Sequence, residues 1–96
     1  MQRTSFIVKN EGYTYTITST EVRQEKNGDE YLIGTGGFHT GYNNGDNRGC
    51  GQKSRSATVT IDNSRECLES VTEPRTCEYH LHVCAPCHGN THVSTR

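Results

Sequence analysis

The 96-residue sequence predicts an all-β domain. Three observations carry this: apolar residues recur with a period of two, turn signals separate the runs, and no stretch of ten residues shows a helical apolar stripe. Taken in order, the first candidate strand is Ser5–Lys9. In the second, Tyr13, Tyr15 and Ile17 alternate with Thr14, Thr16 and Thr18. A turn at Asn27-Gly28-Asp29 precedes a short strand over Glu30–Ile33. The stretch from Gly34 to Gly51 holds seven of the ten glycines and reads as a loop or a pair of loops, outside the core. Ala57, Val59 and Ile61 then alternate with Thr58 and Thr60. A short strand is expected at Leu68–Val71. Last, Cys77, Tyr79, Leu81 and Val83 alternate with Glu78, His80 and His82. β-Branched and aromatic side chains dominate these runs, as a half-buried pleated surface favours. The architecture expected is a small two-sheet sandwich or flattened barrel.

Composition sets further bounds. Only 29% of the chain is hydrophobic and there is no Trp, a thin core for a chain of this length. Five cysteines, at 50, 67, 77, 84 and 87, stand at the density of an extracytoplasmic disulfide-stabilised domain. Each bridge closing a loop of twenty residues or so would add about 3 kcal/mol by restricting the unfolded chain. The odd count leaves one sulfur over. A net charge of −1 gives no electrostatic case for nucleic acid or an anionic membrane. No apolar run is long enough to span a bilayer. The start, MQRTSFIVKN, has no apolar core and is not a signal peptide, so a secretory signal is expected outside this segment of a longer protein.

The densest chemistry lies in TEPRTCEYHLHVCAPCH, residues 72–88. Cys84-Ala85-Pro86-Cys87-His88 spells C-x-x-C-H, which can anchor haem, but two Phe and no Trp cannot enclose a macrocycle. A redox dithiol of the C-x-x-C type opens a helix, and nothing helical follows. Zinc is the stronger rival to disulfides. His80, His82 and Cys84 would share one strand face, with Cys87, His88 or His92 completing four ligands. The second C-x-x-C that marks a ribbon-type zinc site is absent. The ordinary alternative for His80 and His82 is solvent exposure on a half-buried strand.

The order of motifs outside this cluster carries a resemblance. Cys50, Arg55-Ser56 and Val59 spell C-x4-R-S-x2-V. Glu73-Pro74 with Cys77-Glu78-Tyr79 spells E-P-x2-C-E-Y. Upstream stand Val22-Arg23-Gln24 and Leu32-Ile33-Gly34-Thr35-Gly36. From about Tyr13 to Cys87 the chain resembles the mannose 6-phosphate receptor homology (MRH) domain, in the form found in the β-subunit of glucosidase II. The resemblance implies one domain over residues 1–96, with a core from about 13 to 87 and a tail from 88. It implies a flattened, disulfide-stabilised β-barrel that binds mannose through Gln24, Arg55, Glu73 and Tyr79. It also implies the disulfide Cys50–Cys77 and a bridge from Cys67 to a cysteine after Tyr79, either Cys87 or Cys84; Cys67–Cys87 is preferred, with Cys84 left over. Taken singly, Arg55 reads as a surface charge, Glu73 as a turn residue, Gln24 as a solvated amide and Tyr79 as a core tyrosine.

The residue types suit a sugar. Arg offers a rigid fork of donors whose charge is permanent. A carboxylate accepts from adjacent hydroxyls, an amide both donates and accepts, and Tyr adds a hydroxyl on a flat apolar body. The function expected is recognition of high-mannose N-glycans in the endoplasmic reticulum or another secretory compartment. The domain would be non-catalytic and cofactor-free, and its family role would be beside a glucosidase catalytic subunit. The rival expectation is a zinc-stabilised interaction module that binds no sugar. The chain departs from the family in lacking an N-terminal cysteine and in carrying Gly36-Gly37-Phe38 where a Trp often stands. Phe38 is expected to take over part of that packing. His39 and Lys53 could approach a sugar, but read more simply as solvated loop residues.

Overall fold

A computed structural model describes residues 5–87, the last of them by its backbone alone. The expected tail from 88, together with His88 and His92, lies outside the described residues. Eight strands form one sheet: β1 (Phe6–Asn10), β2 (Tyr13–Ile17), β3 (Glu21–Lys26), β4 (Asp29–Gly37), β5 (Gly41–Asn44), β6 (Ser56–Asp62), β7 (Ser70–Arg75) and β8 (Glu78–Cys84). A single turn of 3-10 helix follows at Ala85–Cys87. The strand order is β1-β2-β3-β4-β5-β6-β8-β7, and the sheet curls until it is nearly closed into a barrel. Every pairing is antiparallel except β6 with β8, where Ser56 to Asp62 run beside Glu78 to Cys84.

Local chemistry explains the tight connections. Glu11-Gly12 and Asn27-Gly28 join β1 to β2 and β3 to β4, all four residues having positive φ. Two successive left-handed residues match the twist of a hairpin, and glycine takes the second place without steric cost. Pro74 sits on the edge strand β7, where the register shifts between Thr72 and Arg75 and no ladder donor is missed.

Two strands escaped the sequence reading. In β3, Val22 and Gln24 point inward while Arg23 and Glu25 point out. The inward set is half polar, so the run lacks an apolar period. In β4 and β5 the expected Gly34–Gly51 loop is instead partly ladder, with Gly34 to Gly37 paired to Asn44 to Gly41. Glycine makes this possible. A Cβ on Gly34 would stand 2.7 Å from the Tyr42 carbonyl carbon, and one on Gly45 would stand 2.1 Å from the Ile33 oxygen. That close approach buries Tyr42 completely, against the expectation that this stretch stays out of the core.

The core gathers Phe6, Val8, Tyr15, Ile17, Val22, Ile33, Tyr42, Ala57, Val59, Tyr79, Leu81 and Val83. It begins at β1, ahead of Tyr13. Tyrosine supplies bulk that Phe and Trp do not. The Tyr42 hydroxyl donates to the Thr18 carbonyl at 2.8 Å, and burial pushes its pKa up to about 12. Phe38 packs edge-on against Phe6, ring centroids 5.9 Å apart. Leu68 lies before β7 and is 84% exposed, so the last short strand starts two residues later than expected.

Two disulfides cross-link the sheet. Cys50 bonds Cys77, the pairing that the resemblance implies. Cys67 bonds Cys84, which corrects the expected Cys67–Cys87 bridge. The reason is local. β8 runs on to Cys84, whose N–H donates to the Glu69 carboxylate at 2.9 Å. Glu69 is two residues from Cys67, so this bond draws the two Cα atoms to 5.7 Å, an ordinary disulfide span. Cys84 is therefore no spare thiol in this state, nor the thiolate that the zinc reading required.

Candidate functional site

The four side chains singled out from the sequence come from four separate elements and meet at one cavity. It has a volume of about 410 Å³, and Gln24, Arg55, Glu73 and Tyr79 all line it. Gln24 reaches it from β3 and Tyr79 from β8. Glu73 comes from the edge strand β7, and Arg55 from the residue that leads into β6.

Arg55 is 9% exposed, an unusual depth for a guanidinium. Its Nη1 donates to the Arg48 carbonyl at 2.6 Å and to the Asp46 carbonyl at 3.3 Å. Its plane also lies against Tyr31, 4.5 Å from the ring centroid, and Arg48 stacks on the same ring at 4.1 Å. Arg48 in turn is fixed by the Asp46 carboxylate and the Glu30 carbonyl. The Arg48 guanidinium and N–H together hold the Asp46 carboxyl down to about 2. Arg55 Nε, by contrast, is buried with no acceptor among the described residues. A buried donor without a partner costs about 1–3 kcal/mol.

Gln24 is 6% exposed and donates through Nε2 to the Tyr15 hydroxyl at 3.0 Å. That bond orients the amide and leaves its oxygen to accept. Tyr15 rests 6.4 Å from Tyr79, ring to ring, and burial raises the pKa of the Tyr15 phenol. Glu73 Oε2 accepts the Cys77 N–H at 2.7 Å across the β7–β8 turn. Cys77 holds φ at 62°, a left-handed conformation that costs a non-glycine residue about 1–2 kcal/mol. The disulfide to Cys50, the Glu73 bond and a bond from Ser56 N–H to the Cys77 carbonyl oppose that cost.

Sequence reasoning missed Tyr15, Tyr31 and the Asp46–Arg48 pair. Tyr15 was legible as an inward strand residue but not as the amide's partner. Tyr31 and Arg48 are seventeen residues apart and carry no local signal; only folding stacks them. Asn10, Glu11 and Tyr13, from the β1–β2 hairpin, also line the cavity. Phe38 does not, being spent on Phe6 instead of standing in for a Trp at a sugar. Lys53 pairs with Glu78 at 2.8 Å, and neither it nor His39 reaches the cavity.

No protein-family model matches the sequence, and no curated protein matches it significantly. A solved structure does: the MRH domain of glucosidase II beta bound to mannose. It is 28% identical, with a TM-score of 0.65, and the match covers 90% of this chain and 93% of that one. This chain has the MRH-domain fold. The eight-stranded MRH sheet thus carries, in this chain, a polar cavity with one fixed guanidinium, one oriented amide, one carboxylate and a pair of phenol rings.

Proposed function

We propose that this MRH-fold domain is a non-catalytic lectin module that binds terminal mannose through Gln24, Arg55, Glu73 and Tyr79. The observation that carries the reading is their convergence on one cavity, with the Arg55 guanidinium fixed there by the Arg48 and Asp46 carbonyls. Neighbouring hydroxyls of a hexose can accept from the Arg55 guanidinium and donate to the carboxylate and to the amide oxygen. Charge-assisted bonds of this kind contribute about 1.5–3 kcal/mol each. An epimer that misplaces the axial 2-hydroxyl would leave a buried group unpaired, and this is the source of selectivity.

The likeness to a glucosidase II beta domain bound to mannose supports the ligand class. We extend it to high-mannose N-glycans of glycoproteins in the endoplasmic reticulum or a later secretory compartment. Two disulfides suit such an oxidising lumen. The role we assign is presentation of glycans to a glucosidase catalytic subunit.

A glycan array run on the wild type and on Arg55→Ala, with free mannose as competitor, tests the proposal. The wild type is expected to bind high-mannose structures and to be displaced by mannose. Arg55→Ala is expected to stay folded and to lose about 30-fold or more in affinity, the equivalent of about 2 kcal/mol. Full binding by the folded variant would remove Arg55 from the site; no mannose-sensitive binding by the wild type would end the lectin reading.

A further inference from the structure

β8 presents two chemically different faces. Tyr79, Leu81 and Val83 point inward, to the cavity and the core, while His82 and Cys84 stand one pleat apart on the other face. Cys84 is bonded to Cys67, from the connection between β6 and β7. The two sulfurs and a ring nitrogen of His82 lie within 4.8 Å of one another. Asp62 closes the group. It ends β6, directly beside Cys84 in the parallel pair, and its Oδ2 is 3.1 Å from His82 Nε2. The Ser64 N–H donates to the other carboxylate oxygen at 2.8 Å and so aims it. None of these residues lines the sugar-sized cavity.

We propose that this corner is a latent zinc site, closed by the disulfide in the oxidised protein and opened by reduction, with Cys67, Cys84 and His82 as ligands and Asp62 orienting the imidazole. Two thiolates and one imidazole form a donor set that zinc favours. A tetrahedral ion holds sulfur at about 2.3 Å and nitrogen at about 2.0–2.1 Å, which sets ligand atoms roughly 3.8 Å or less apart. In the oxidised protein the three atoms lie within 4.8 Å of one another, so after the bond breaks the sulfurs must part and the ring nitrogen close in by about 1 Å at most. Two thiolates neutralise the divalent ion, so the corner gains no net charge from the ion and the two sulfurs. A carboxylate on one ring nitrogen leaves the other free to ligate and fixes the ring, the usual support of a metal-bound histidine. A fourth position remains open to water.

The opening step is a thiol–disulfide exchange. An external dithiol breaks the Cys67–Cys84 bond, passes two electrons and two protons to the two sulfurs, and closes to its own disulfide. Zn²⁺ then binds the two sulfurs as thiolates and releases both protons to solvent. The inference is independent of mannose binding.

The test uses the full chain in a Cys87→Ser background, reduced with a dithiol and freed of it by anaerobic gel filtration. It is titrated with Co²⁺ and then Zn²⁺ against a chromophoric chelator. The reduced chain is expected to take one equivalent, with thiolate-to-cobalt charge-transfer bands, and the oxidised chain none. Adding Cys67→Ser should remove the two-thiolate spectrum, and His82→Ala should lower affinity at least about 10-fold, given that even an outer partner of a ligand is worth that much. Should reduction unfold the chain, zinc is expected to restore the strand signal in circular dichroism in step with the metal bound. The proposal is overturned by a reduced chain that neither binds nor refolds with zinc. It is equally overturned by unchanged binding in either variant, or by binding that needs Cys87.

Discussion

The two disulfides join different kinds of structure. Cys50–Cys77 ties the loop that offers the Asp46 and Arg48 carbonyls to Arg55, on one side, to the turn whose N–H engages Glu73, on the other. It therefore stands between two walls of the cavity. Cys67–Cys84 ties the β6–β7 connection to the end of β8, on the face turned away from the cavity. Both restrict the unfolded chain by similar amounts, because loop entropy depends only logarithmically on length. What distinguishes them is what each one orients. A cross-link's contribution to stability thus says little about its contribution to binding.

Removing each bridge in turn would break this comparison most directly. Cys50→Ser with Cys77→Ser is expected to cost about 3.5 kcal/mol, and Cys67→Ser with Cys84→Ser about 3 kcal/mol, from the loop lengths alone. Urea denaturation should show the two losses to be alike. Isothermal titration with mannose, at low temperature where both remain folded, should then separate them: the first variant loses affinity and the second keeps it. Equal mannose affinity in both would mean that the Cys50–Cys77 bridge does not organise the site.

Tyr15→Phe should act more gently. It deprives Gln24 of its acceptor and frees the amide to rotate, at an expected cost of about 1 kcal/mol, or about five-fold in mannose affinity. The Cys67–Cys84 end should be unaffected, as read by the rate at which that bond is reduced.

Acid sharpens the contrast further. The Asp46 pKa is depressed from 3.8 to about 2, so its contribution to stability is complete above 3.8 and disappears as pH falls through about 2. Asp46→Asn should therefore lower the melting temperature relative to wild type at pH 5, with the difference closing near pH 2. The smallest effect belongs to the other end. The Ser64 N–H, and after it His82, lowers the Asp62 pKa, with the same sign of pH dependence. The pair is about one-third exposed to solvent, so Asp62→Asn should shift melting less than Asp46→Asn over the same range. A larger shift for Asp62 would show that corner to be the better organised one.

Where the sequence was readable, and where not, follows the same division. YTYTI, ATVTI and EYHLHV read as strands because their inward positions are apolar or aromatic. β3 did not, because its inward pair is Val22 and Gln24, and a buried amide serving a cavity interrupts the apolar period. β5 was hidden because three of the four residues of GYNN are poor strand formers; it exists because glycines let two backbones and Tyr42 pack closer than any side chain would allow. Cys84 was set aside for Cys87, since spacing along the chain does not report which sulfur lies within reach.

The order and type of residues sufficed for the all-β class and the Asn27-Gly28 hairpin, since strand alternation and turn conformation are local properties of the chain; the four polar side chains were singled out by the resemblance of their motifs. Folding alone decided that those four side chains share a cavity, that Tyr31 stacks two arginines and that Cys67 meets Cys84. Each of these depends on which strands become neighbours, and that is set by the burial of a whole sheet rather than by any single segment.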